Sequence, residues 1–126
     1  MKLRILGNSI RIRVTRSELV EFDLDGEVSE TVEFGEGVRF TYALLRGDYD
    51  GEPSADFRDH TLSVRLPAAT VDEWVNSDRV SIRGTQRLDD GGTLQLLVEK
   101  DFACLEPRPD EDESDMFPHP EKWGHS

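Results

Sequence analysis

Arginine dominates the residues of this chain that could do chemistry: 12 of its 15 basic residues are arginine, and the lysines are Lys2, Lys100 and Lys122. Several sit at alternate positions. Lys2 and Arg4 flank Leu3, Arg11 and Arg13 interleave with Ile10, Ile12 and Val14, Ser63 and Arg65 with Leu62, Val64 and Leu66, and Ser81 and Arg83 with Val80 and Ile82. In a strand, period two sends alternate side chains to opposite faces. The apolar set reads as the core side and the basic set as the other. A guanidinium is a planar fork that donates in pairs, which suits carboxylate or phosphate recognition. Arg4, Arg11, Arg13, Arg65 and Arg83 are therefore the candidate ligand-binding residues. Lining a barrel, they would make an anion tunnel. Outside, they would form a solvated face balanced by nearby acids, an ordinary feature of antiparallel sheets.

Other chemistries have weaker support. Cys104, His119, His125, Asp101, Asp112 and Asp115 could ligate a metal, but their spacing matches no established signature, so no metal and no cofactor are assigned. A G-x-S-x-G elbow and a P-loop are lacking, and His60 falls at an expected turn. Glu99 and Asp101 could share a strand face as an acid–base pair, although 27 acids supply such pairs by chance. No catalytic residue is assigned. The leading expectation is a non-enzymatic binder of an acidic small molecule or protein segment. The alternative is a metal-dependent phosphohydrolase with Arg4, Arg13, Arg65 and Arg83 as phosphate clamps.

Composition narrows the field. The chain has 126 residues, 27 acids and a net charge of −12. Such a charge argues against nucleic acid and against an anionic membrane as partners. Apolar residues are 36% and charged residues 33% of the chain. The longest apolar runs fall short of a membrane span, and the first residues turn polar too soon for a signal peptide. One cysteine excludes an internal disulfide framework, and the cytoplasm is the expected location. The excess of acids and of arginine over lysine also fits a high-salt habitat or a G+C-rich genome. The oligomeric state is left open.

The elements that would position these arginines come from an internal repeat. Slid by 52 positions, Ile10–Val14 falls on Leu62–Leu66, Leu19 on Val71, Phe22 on Trp74, Val28 on Val80, Thr41 on Thr93 and Leu44 on Leu96. The first unit reads as a hairpin of strands 3–6 and 10–14, then a short helix opened by the capping box Thr15-Arg16-Ser17-Glu18. Strands 28–34 and 38–45 follow. The second unit repeats the order: strands 55–58 and 61–66, a helix over 67–76 started by Pro67, and strands 80–86 and 93–102. This is ββαββ used twice, about 1–46 and 53–102, in one domain over 1–105. The expected fold is α+β, mostly antiparallel, an eight-stranded barrel or half-barrel with two short helices.

Residues 106–126 form an acidic, proline-rich tail with seven acids and two bases. Prolines and acids oppose regular structure there, yet Met116, Phe117 and Trp123 are apolar anchors. One expectation is that the tail folds back, docks Phe117 in a groove and lays its acids over the arginine face. The other is a solubilising tail.

The run Lys2-Leu3-Arg4-Ile5-Leu6-Gly7-Asn8-Ser9-Ile10-Arg11 resembles the opening of a family of small bacterial proteins with no assigned activity. So does Val98–Leu105, followed by Pro107-Arg108 and by Glu111-Asp112-Glu113-Ser114-Asp115-Met116-Phe117-Pro118. The resemblance covers nearly the whole chain. It implies a bacterial source and nothing about chemistry. The duplicated unit is similar in architecture to the triphosphate tunnel enzymes, but their Glu-x-Glu-x-Lys strand is missing: the chain opens Met1-Lys2-Leu3-Arg4-Ile5.

Overall fold

The computed structural model describes residues 1–101 and Phe117. The strands are β1 (Lys2–Ile5), β2 (Ser9–Val14), β3 (Glu27–Gly35), β4 (Val38–Gly47), β5 (Ser54–Arg58), β6 (Thr61–Pro67), β7 (Ser81–Arg87) and β8 (Thr93–Lys100). The helices are α1 (Arg16–Asp25), between β2 and β3, and α2 (Ala68–Val75), between β6 and β7. The expected α+β composition and the ββαββ order, twice over, are present.

The strands form two four-stranded sheets, ordered β1-β2-β8-β7 and β3-β4-β6-β5. We call them the first and second sheet. Short loops force β1–β2, β3–β4, β5–β6 and β7–β8 into antiparallel hairpins. The central pairs, β2–β8 and β4–β6, are parallel and join strands that are not consecutive. Each sheet thus takes one hairpin from each half of the chain. No backbone ladder links the two sheets among the described residues, so a closed barrel does not form. One seam is bridged instead by a side chain. The Gln86 amide of β7 donates to the Ala55 carbonyl (3.0 Å) and accepts from the Ala55 N–H (2.6 Å), as a neighbouring peptide would. Pro53 packs over Gly84 beside this seam, where a Cβ would come within 2.9 Å of Pro53 Cδ.

The pairing register refines the sequence correspondence. Ile10 and Leu62 lie 52 positions apart, but their partners Leu96 and Tyr42 lie 54 apart. By the same register Val28–Leu44 corresponds to Ile82–Val98. The matches of Val28 with Val80, Thr41 with Thr93 and Leu44 with Leu96 are therefore each two residues out. The longer link between α2 and β7 accounts for the step: residues 76–80 stand where α1 reaches β3 through Gly26 alone. A slip of two preserves the inward and outward alternation, so apolar still fell on apolar.

The core lies between the inner faces and is closed by the helices. Ile12, Val14, Leu44, Val64, Leu66, Ile82 and Val98 are fully buried from the strands, and Phe22 and Trp74 from the helices. Phe22 and Trp74 meet edge to face, with centroids 6.5 Å apart. Trp74 Nε1 donates to the Val80 carbonyl at 3.0 Å, which satisfies its one buried polar atom. The capping box of α1 forms as the sequence predicts: the Glu18 N–H donates to Thr15 Oγ1 and the Thr15 N–H to Glu18 Oε1. Gly26 ends the helix in the left-handed region at φ 74°, where a side chain would be strained. No helix of the described chain is long and apolar enough to cross a membrane.

Candidate functional site

The outer face of the first sheet gathers most of the candidate arginines. Its register sets them in transverse rows. One row reads Arg4, Arg11, Leu97, Arg83 across β1, β2, β8 and β7. The next reads Lys2, Arg13, Glu99, Ser81. On the other side lie Ser9, Gln95 and Thr85, and beyond them Arg87 opposite Thr93. The strands contribute six basic side chains and one acid, Glu99, to this face. This is a cationic surface on a protein of net charge −12.

Counter-ions are partial. Arg13 Nε donates to Glu99 Oε1 at 2.6 Å, and Arg11 Nε lies 3.7 Å from the same oxygen. One carboxylate thus holds two neighbouring guanidinium groups by their inner nitrogens. Lys2 Nζ lies 3.2 Å from Asp101 Oδ2, an ion pair without hydrogen-bond geometry, because that buried oxygen has no hydrogen-bond partner. Arg4, Arg83 and Arg87 have no carboxylate within ion-pair distance among the described residues. A hollow of about 470 Å³ lies over the middle of the face, between Arg11 and Arg83. Leu97, Ser9, Thr85 and Gln95 line it, and Glu52 reaches it from the link between the halves. A second hollow, of about 280 Å³, is bounded by Lys2, Leu3, Arg4, Arg11 and Arg13.

Arg65 is not part of this surface. It lies on β6, in the second sheet, and its Nη1 donates to Asp56 Oδ2 at 2.6 Å. The expectation that Arg65 shares one basic face with Arg4, Arg11, Arg13 and Arg83 is corrected accordingly. The two halves exchange hairpins, so matching positions end on different sheets. The outer rows of the second sheet are also mixed in charge, with Glu27, Glu33 and Asp56 beside Arg39, Arg58 and Arg65. Among the described residues the inner faces are filled by the apolar core, which leaves no interior anion tunnel there.

The carboxylates considered for acid–base work are engaged. Glu99 is shared by Arg13 and Arg11, and Asp101 is buried beside Lys2. No group of three metal-ligating side chains occurs among the described residues. Cys104, His119, His125, Asp112 and Asp115 lie outside them, as does the stretch proposed to cover the arginine face.

Several ionisable groups turn inward that the sequence reading left without a site role, Glu18 having been read only as part of the capping box. Lys100 follows Glu99 on β8 and is only 4% exposed. Its Nζ donates to the Ser77 carbonyl at 2.9 Å and lies 5.6 Å from the centre of the Phe117 ring. Burial lowers its pKa, against the opposing pull of Asp78. Phe117 is partly buried against the core, and its N–H donates to the Asp101 carbonyl at 2.8 Å. Its placement agrees with the expected apolar anchor. Glu18 ion-pairs with the Met1 ammonium, which also contacts Glu30 at 2.8 Å. Burial alone would raise the Glu18 pKa, but the ammonium and the Thr15 backbone together hold it below the ordinary value. Tyr42 donates to the Met1 carbonyl, and burial beside Glu30 and Glu18 raises its phenol pKa.

Fold and site together define an α+β protein of two mixed four-stranded sheets, one of which has a cationic outer face. The chain belongs to a family of unknown function, DUF7009, which it matches over residues 1–121. That agrees with the resemblance to a small family without assigned activity. No curated protein and no solved structure matches the chain.

Proposed function

We propose that the protein is a non-enzymatic binder of an anionic ligand, which it holds on the outer face of the first sheet. The observation that carries this reading is the row Arg4, Arg11, Leu97, Arg83. Arg4 and Arg11 adjoin and repel one another, Arg83 stands one strand further on beyond Leu97, and in an acid-rich chain counter-ions for all three would be easy to supply. Arg4 and Arg83 are exposed and lack such partners among the described residues, so their terminal nitrogens are available to an outside anion. Serine, threonine and glutamine beside the row add neutral donors. The reading extends to a cytoplasmic setting, supported by the single cysteine. It extends also to a duplication origin of the halves, supported by the identical antiparallel–parallel–antiparallel pattern of the two sheets.

Phosphocellulose chromatography tests it. A protein of pI near 4.6 should pass an anionic matrix at neutral pH unless a local cationic site holds it. The wild-type protein should be retained at low salt, and Arg4→Ala/Arg11→Ala/Arg83→Ala should flow through. Flow-through of the wild type, or equal retention of both, overturns the reading.

A further inference from the structure

We infer that the ligand of this face is a small bisphosphate: two phosphate groups joined by a short uncharged linker of about sugar size. The inference rests on the anion-binding reading and names its ligand class. Three features of the face carry it.

The cationic row is interrupted at one place. Arg4 and Arg11 are direct neighbours across β1 and β2, Leu97 stands next, and Arg83 closes the row on β7. Adjacent strands lie about 4.8 Å apart, so Arg11 and Arg83 are separated by about 10 Å at the backbone, with an apolar side chain between them. A continuous polyanion would set charge over Leu97, where no cation meets it. A single anionic group would use one end and leave the other unanswered. Two anionic groups with an uncharged middle match the sequence of charges in the row.

The hollow has the matching shape and lining. It lies between Arg11 and Arg83, measures about 470 Å³, and has Leu97 in its lining. Ser9, Thr85 and Gln95 line it with neutral hydrogen-bonding groups suited to the hydroxyls of a polyol. Glu52 is the one acid in that lining, and its carboxylate disfavours a third negative charge on the linker.

The paired end favours phosphate over carboxylate. One arginine fork fills both oxygens of a carboxylate. Arg4 and Arg11 present two forks side by side, and a phosphate monoester has three terminal oxygens to accept from both. Glu99 accepts from Arg13 Nε and lies 3.7 Å from Arg11 Nε, so the one carboxylate near Arg11 is shared with Arg13 and leaves the charge of Arg11 only partly balanced.

Isothermal titration of the full chain at low salt tests this with fructose 1,6-bisphosphate, fructose 6-phosphate, inorganic phosphate and adipate as probes. The bisphosphate should bind at least ten-fold more tightly than fructose 6-phosphate, and adipate should bind no better than inorganic phosphate. Arg83→Ala should bring the bisphosphate down to the affinity of fructose 6-phosphate while leaving inorganic phosphate within two-fold. Arg83 is exposed, so the variant should fold, and an unchanged thermal midpoint would verify that. Equal binding of mono- and bisphosphate, or of adipate and the bisphosphate, overturns the inference but leaves the anion-binding reading standing. No binding of any probe by a protein that phosphocellulose retains overturns the inference as well. No binding by a protein that is not retained removes both.

Discussion

Arg13 and Arg65 hold matching places on β2 and β6, each on the outward side of its strand, yet they belong to different sheets and face different neighbours. Arg13 pairs with Glu99 across a parallel ladder, whereas Arg65 reaches diagonally to Asp56 within a hairpin. The position of Asp56 on β5 corresponds to Arg4 on β1, because the two hairpins share one register at a step of 52. The corresponding surface therefore carries an acid where the first sheet carries a base. Correspondence of position does not bring correspondence of charge.

Arg13→Ala and Arg65→Ala should consequently separate. Arg13→Ala should lower the salt concentration that elutes the protein from phosphocellulose, since it removes one of six cations from the face. Arg65→Ala should elute with the wild type. Each touches only a surface ion pair, worth roughly 0–1 kcal/mol, so both should melt within a few degrees of the wild type. A larger loss of retention in Arg65→Ala than in Arg13→Ala would contradict the assignment of the site to the first sheet.

The strands and helices were legible because their local signals agree. Thr15 and Glu18 mark the start of α1, Gly26 its end, and the alternation around Ile10–Val14 the face that is buried. The arginine pattern was legible for the same reason: period two fixes which side a residue takes. The partner strand was not. Whether β2 lies beside β6 or beside β8 depends on which hairpins are exchanged, and nothing in the alternation of Ile10–Val14 differs between the two outcomes. Leu97 shows the same limit. Its outward position follows from the alternation, but its place between Arg11 and Arg83 follows only from the pairing of β8 with both neighbours. Lys100 failed for another reason: continuing the strand pattern puts it inward, where a lysine is unexpected until the Ser77 carbonyl and the Phe117 ring are seen to receive it.

Glu99→Gln should strengthen anion binding. The carboxylate is the one acid among the outward positions of the first sheet, and it neutralises part of the field of Arg11 and Arg13. Glutamine keeps an oxygen that can accept from Arg13 Nε while removing the charge. Relief of one repulsive charge on the solvent side of the sheet is worth about 1 kcal/mol, or about five-fold in affinity. The phosphocellulose elution point should rise and the fructose 1,6-bisphosphate Kd should fall. A weaker Kd would mean that the charge of Glu99 matters more for holding the arginines than for opposing the ligand.

Glu18→Gln should cost stability at neutral pH and lose its effect in acid. The Glu18 pKa is held below its ordinary value of 4.5 in the folded chain. Its contribution is therefore fully present above that value, where the unfolded chain also carries a carboxylate, and fades as pH falls through the lower folded value. The variant removes the negative half of the ion pair with the Met1 ammonium and weakens the capping box, a loss of about 1 kcal/mol. Urea midpoints measured from pH 7 downward should differ at the neutral end and draw together as the pH falls below the ordinary carboxylate range and through the lowered folded value. A constant difference across that range would show that packing, and not charge, sets the effect.

Gln86→Ala should loosen the joint between the sheets without disturbing either sheet on its own. The Gln86 amide supplies both hydrogen bonds to the Ala55 peptide, and Ala55 is 8% exposed, so little water can replace them. A buried donor and acceptor left unsatisfied together cost about 2–4 kcal/mol. Gln86→Glu discriminates between shape and hydrogen bonding. Its carboxylate accepts from the Ala55 N–H but cannot donate to the Ala55 carbonyl, and protonation in mild acid restores a donor. Its stability should therefore lie between alanine and wild type at pH 7 and move toward wild type as the pH is lowered to about 5. Amide exchange supplies the local readout. The Ala55 N–H should exchange much faster in Gln86→Ala, whereas N–H groups within the β2–β8 ladder should change only as global stability changes. Equal acceleration at both places would mean that the seam is a part of one cooperative unit and that Gln86 is one of its ordinary hydrogen bonds.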